Sequence, residues 1–183
     1  MSRLSLLLLA VCGTASATTM TQLDLAGLTA RAESVVAGRV TEARAAWTAD
    51  HSAIYTDVTI LVDRALAGAA QPGQQVVVRR EGGTVDGLAM KVYGAATFTK
   101  GEDVVVFVER RNGARYVVGM AQGKLSLYTD GSGARRLQRD LSELSFLPPA
   151  GGAARPFSAR SVTTLDELAA EVQRLRRAPR NAP

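Results

Sequence analysis

Residues 98–120 read FTKGEDVVVFVERRNGARYVVGM. Within them, Val104-Val105-Val106-Phe107-Val108 and Tyr116-Val117-Val118 flank Asn112-Gly113. Two β-branched runs joined by Asn-Gly predict a hairpin, because both turn residues must accept φ > 0. Counting outward from the turn opposes Arg111 to Ala114, Glu109 to Tyr116 and Phe107 to Val118. The first strand is apolar at nearly every position. That pattern predicts burial on both faces or a place in the wall of a closed barrel.

Upstream, Ile54 to Asp63 alternates: Ile54, Thr56, Val58, Ile60 and Val62 share one face, Tyr55, Asp57, Thr59, Leu61 and Asp63 the other. Period two over that length predicts a half-buried strand. Glu33 to Arg44 predicts another, in which Gly38 marks a bend or a close backbone approach. Gln75 to Glu81 is a strand ended by Gly82-Gly83, and Thr84 to Tyr93 a short or irregular one broken by Gly87 and Gly94. Trp47 to Ser52 reads as a polar connection, and Ala65 to Gln75, with Pro72-Gly73, as a turn region. Ahead of these strands, Leu25, Leu28 and Ala32 have helical spacing, so Thr21 to Ala32 reads as a short helix with Thr21 and Asp24 as caps.

Downstream, Lys124 to Thr129 predicts a strand closed by Asp130-Gly131-Ser132-Gly133. Residues 131–162 read as an irregular segment and linker, including Pro148-Pro149-Ala150-Gly151-Gly152. Thr164-Leu165-Asp166-Glu167 is a capping box that opens an amphipathic helix over 163–178. Its stripe, Leu165, Leu168, Ala169, Val172 and Leu175, is expected to pack on the β-domain. Arg174, Arg176 and Arg177 complement the helix dipole, and Pro179 stops the helix. The chain is therefore expected to be mainly β. The expected fold is an OB-like, partly closed antiparallel barrel over 18–130, flanked by an N-terminal and a C-terminal helix.

Residues 1–17 form a leader: Arg3, an apolar run from Leu4 to Val11, and the small-x-small site Ala15-Ser16-Ala17. The run is shorter than the roughly 20 residues that cross a bilayer, which predicts a signal peptide cut before Thr18. The product is then exported to the periplasm or beyond. Cys12, the only cysteine, sits in that leader. Its setting half matches a lipoprotein box, so a membrane-anchored lipoprotein acylated at Cys12 is the alternative. On the first reading the mature chain has no thiol and folds without disulfides.

The net charge is +5, yet residues 18–130 hold 12 basic and 12 acidic side chains. The excess lies in residues 131–183, with 9 against 5, and in Arg3. A neutral β-domain with a basic tail is not the footprint of a nucleic-acid groove. One histidine and no mature cysteine exclude His-rich zinc sites and Cys–His nucleophiles. Gly131-Ser132-Gly133 lacks the spacing of a nucleophile elbow, and no glycine cluster is followed by the Lys-Ser or Lys-Thr pair of a phosphate loop. Asp57 and Asp63 share a strand face roughly 20 Å apart, too far for a carboxylate pair.

No catalytic, metal or cofactor residue is therefore assigned. Three features remain as binding candidates. Trp47 is either an exposed anchor or a cap on the core. Arg79 and Arg80 are either an anion site or the polar end of a strand. Gln122 and Lys124 lie between two strands, at a binding point or a bulge.

The order of these motifs resembles a group of uncharacterised exported bacterial β-domain proteins. It runs Ser34-Val35-Val36-Ala37-Gly38-Arg39-Val40, Tyr55-Thr56-Asp57-Val58-Thr59-Ile60, Leu66-Ala67-Gly68, Gln75-Val76-Val77-Val78, Glu81-Gly82-Gly83, Lys100-Gly101-Glu102-Asp103 and Gln122-Gly123-Lys124. More distantly it is similar to netrin-like domains and tissue inhibitors of metalloproteinases. The resemblance covers about residues 21–128 and implies an OB-type barrel. Those inhibitors bind zinc through an N-terminal cysteine and are held by disulfides. Neither is available here, so no functional residue carries over. The expected function is an exported, non-catalytic module that binds a protein. The alternatives are a protease-associated or inhibitory domain and, after it, a hydrolase with a carboxylate site.

Overall fold

The computed structural model describes residues 18–147 and 164–178. The expected leader with Cys12 and the expected linker at Pro148 to Gly152 lie outside them. The Asn-Gly hairpin joins β7 (Asp103–Arg111) to β8 (Ala114–Val117), after the six strands described below. Asn112 and Gly113 take φ 48° and 80°. Glu109 faces Tyr116, Arg111 faces Ala114, and the Val118 N–H donates to Phe107 O at 2.9 Å. Val105 and Phe107 pack into one core cluster, and Val104, Val106 and Val108 into a second. Val104 to Val108 are all apolar because both faces of the strand are covered there.

β2 (Ser34–Trp47) and β3 (Ile54–Ala67) form a long antiparallel ribbon, and β4 (Gln75–Glu81) follows on the far side of β3. Both ribbon strands outrun their expected ends. Arg64 to Ala67, turn-like in composition, is held in strand by pairing that runs back to Val35, and Leu66 is buried there. At Gly38 a Cβ would lie 2.1 Å from Leu61 O, so the ribbon closes up as only glycine permits.

β5 (Gly83–Val85) and β6 (Leu88–Met90) make a small separate hairpin over Asp86-Gly87, where a single irregular strand is expected from the sequence. Both turn residues have positive φ, 50° and 79°. The Asp-Gly signal is the same in kind as the Asn-Gly one.

The main sheet continues with β9 (Lys124–Thr129) and β10 (Arg135–Gln138), in the order β10-β9-β7-β2-β3-β4-β8. β9 and β8 share one edge of β7, β9 along Asp103–Val106 and β8 along Val108–Arg111. β8 also meets β4 in parallel at Arg79–Tyr116. Part of the segment expected to be irregular is strand: Asp130 accepts from Ser132 N, Ala134 N and Arg136, which folds the chain back into β10. Further on, β11 (Leu144–Phe146) pairs in parallel with β1 (Thr18–Met20).

Helix α1 (Leu25–Arg31) is shorter than its apolar spacing suggests. Asp24, not Thr21, is its cap, accepting from Gly27 N at 2.7 Å. Helix α2 (Leu165–Arg177) opens on the expected capping box, with both reciprocal bonds formed between Thr164 and Glu167. Its Leu168, Ala169 and Val172 join Leu28, Val35 and Phe107 in the outer cluster. Each large side chain buried this way contributes about 1.5–3 kcal/mol.

Candidate binding face

The helices cover the sheet over Val35, Ala37 and Leu66. The other half of the ribbon turns its alternate residues outward. On β3 these are Tyr55, Asp57, Thr59 and Leu61, and their partners on β4 are Glu81, Arg79, Val77 and Gln75. Leu61 and Val77 are 37% and 42% exposed, so the face is not purely polar.

Its centre is an ordered stack. Arg79 donates to both oxygens of Asp57, at 2.8 Å each, and its guanidinium carbon lies 3.6 Å from the Tyr55 ring centre. The hydrogen bonds to Asp57 raise Arg79 above its already high ordinary pKa, against the smaller effect of burial. The parallel contact sets Tyr116 beside Arg79, and Arg111 lies over the Tyr116 ring at 4.2 Å. Arg111 in turn reaches Glu81 at 3.5 Å and Glu109 at 3.3 Å. Across the ribbon Arg44 faces Asp57 and pairs with Glu42 at 2.7 Å. Strand register thus aligns Arg44, Asp57, Arg79, Tyr116 and Glu109 in one belt over β2, β3, β4, β8 and β7.

Planar guanidinium and phenol groups held in this way have lost much of their rotamer freedom before any partner arrives, which lowers the entropy cost of docking. The belt offers flat contact surface and hydrogen-bond donors. It brings together no nucleophile and base, and among the described residues no group of three His, Cys, Asp or Glu is placed to hold a metal ion.

Of the residues singled out in the sequence, only Arg79 lies in the belt. Arg80 points to the opposite face of β4, half-buried, where burial lowers its pKa and Glu81 opposes that effect. The two arginines therefore do not act together. Trp47 ends β2 opposite Ile54 and stacks on His51, with ring centres 5.9 Å apart, so it sits at the ribbon tip and not in a free loop. The neighbouring Asp50 is committed to Thr48 and Ser52, which hold its carboxyl at about 2.

Gln122 is 1% exposed; its amide oxygen accepts from Leu23 N at 2.7 Å and its NH2 donates to Thr21 O at 3.2 Å. It ties down the N-terminal segment. Lys124 is 9% exposed and donates to Glu102 and, at 2.8 Å, to Ser126, whose hydroxyl donates to Glu102 at 2.6 Å. A cleft of about 100 Å³ between Gly94–Thr97 and Asp140–Leu144 borders this triad. Gln122 and Lys124 therefore both serve internal networks.

Sequence reasoning missed Tyr55, Asp57 and Tyr116 as members of one site. The alternation of β3 gives the face of the first two, and nothing local gives the third. No family model, curated protein or solved structure matches the chain. No helix among the described residues is long and apolar enough to cross a membrane.

Proposed function

We propose that this is an exported, non-catalytic binding module whose β2–β3–β4–β8 face docks another protein. The belt of stacked arginine and tyrosine beside Leu61 and Val77 carries this reading, since Tyr and Arg dominate protein-interface hot spots. Each arginine of the belt has its own carboxylate: Arg44 with Glu42, Arg79 with Asp57, Arg111 with Glu81 and Glu109. The face thus projects no strong field of one sign, which suits a protein surface better than a polyanion. No cofactor or metal is assigned to it.

The scaffold we propose is an OB-like, partly closed barrel. The pairings β7–β2–β3–β4–β8, with β8 returning to β7, support it, and the second core cluster would be its interior. Export is supported by the leader pattern alone. Cleavage before Thr18 is compatible with the bond that Thr18 N donates to Glu143 O at 3.3 Å, since the new ammonium could keep it.

The test is quantitative capture from the native envelope with wild type, a Tyr55→Ala/Arg79→Ala double variant and a Lys91→Ala/Tyr93→Ala control. The control removes a comparable cation–ring stack, 4.6 Å, outside the belt. A partner retained by wild type and control but reduced at least about tenfold by the double variant is expected, the loss of one hot spot. An identical set of captured proteins from all three would refute the reading.

A further inference from the structure

We infer that the C-terminal ends of α1 and α2 form a second docking surface, basic in character, for the anionic headgroups of a phospholipid membrane. The two helices pack together and end at the same place, where Arg176 donates to Ala32 O at 2.5 Å. Ala32 to Ser34, the link from α1 to β2, is the hub of this region. Glu33 accepts from Arg110 at 3.1 and 3.3 Å and lies 3.9 Å from Arg115. Gly68 packs against Ser34, and beside it a shallow depression of about 260 Å³ is rimmed by Arg176 and Arg177. Arg31 ends α1. Arg110 and Arg115 thus share the carboxylate of Glu33, while Arg31 and Arg176 with Arg177 close the two adjoining helices, and no other carboxylate pairs with these five arginines in the contacts above.

Helix dipoles account for Arg31, Arg176 and Arg177. They do not account for Arg110 and Arg115, which stand on strands with 50% and 39% of their side chains exposed. The patch is open and spread over two helix ends and a hairpin, so it fits an array of phosphates better than one enclosed anion. Guanidinium forks match phosphate oxygens, and the summed field acts over about 8–10 Å at physiological salt. An acidic protein would meet the same charge, but this surface lacks the aromatic anchors of the belt. Membrane docking here uses the helix-covered half of the ribbon and leaves the belt free for a partner.

Flotation of the processed protein recovered from exporting cells, with phosphatidylcholine vesicles and with mixed phosphatidylcholine–phosphatidylglycerol vesicles, tests this. The protein should float with the mixed vesicles alone, and added salt should release it. Arg31→Gln/Arg115→Gln/Arg177→Gln should weaken binding on the order of 100-fold, at about fivefold per arginine. Lysine at the same three positions should restore it. Arg39→Gln/Lys100→Gln/Arg135→Gln removes the same net charge elsewhere and should change binding only a few-fold. Equal loss from both glutamine triples, or none from the first, overturns the proposal. So does retention of acidic proteins without vesicle binding. Equal flotation with neutral vesicles would assign the membrane to an acyl chain on Cys12 and also overturn it. The salt dependence of wild type decides the matter if the glutamine triple does not fold.

Discussion

Glu102 is a carboxylate placed where water is scarce, with 20% of its side chain exposed. Burial opposes its ionisation, but hydrogen bonds from Lys124, Ser126 and the Thr99 N–H outweigh burial and hold it below the ordinary value of 4.5. A depressed folded pKa means that the group stabilises fully above 4.5, and that its contribution is lost as pH falls through the lower folded value. Glu102→Gln should therefore cost about 2 kcal/mol near pH 7, less than for a fully buried pair. The gap to wild type should narrow in urea titrations as pH falls below 4.5. A gap independent of pH would show that packing, not charge, sets the cost. None of this network was legible in the sequence. Glu102 and Lys124 are 22 residues apart, and Leu23 lies 99 from the amide of Gln122 that holds it. Side chains whose partners are that distant carry no local signature.

Elements announced by local chemistry were legible to the residue. Asn112-Gly113 fixed the β7–β8 register, and Thr164 with Glu167 marked the start of α2. The far end of β3 was not, because only pairing to Val35–Ala37 keeps Arg64 to Ala67 extended. β10 was hidden for the same reason: its four residues follow a turn that reads as an end, and only β9 makes them a strand. Two glycines separate the local from the long-range case. Gly113 has φ 80° and open space around it, so Gly113→Ala should cost only about 1–2 kcal/mol of left-handed strain. In Gly38→Ala the new carbon would lie 2.1 Å from backbone oxygen of β3, which must push the ribbon apart, at a cost of at least about 3 kcal/mol. Thermal unfolding of the two variants compares them directly. Equal destabilisation would mean that the ribbon does not close at Gly38.

For the molecule as a whole, the ribbon performs two tasks along its length. Its Val35–Ala37 half lies under the helices and completes the core, while the half carrying Tyr55, Asp57 and Leu61 faces outward with Arg79 and Tyr116 brought alongside. Alternation in the sequence placed Tyr55 and Asp57 on one face. It could not place Tyr116 beside Arg79, since that neighbour depends on the registers of several strands at once. The central claim is that this face meets a protein. Its most direct measurement is a photo-crosslinking residue at Val77, inside the face, compared with one at Leu88, which is 60% exposed on the separate β5–β6 hairpin. Irradiated in cells that export the protein, Val77 should give a discrete adduct that Tyr55→Ala/Arg79→Ala reduces at least about tenfold, and Leu88 should not give it. No adduct at Val77, or the same adducts from both positions, would contradict the account.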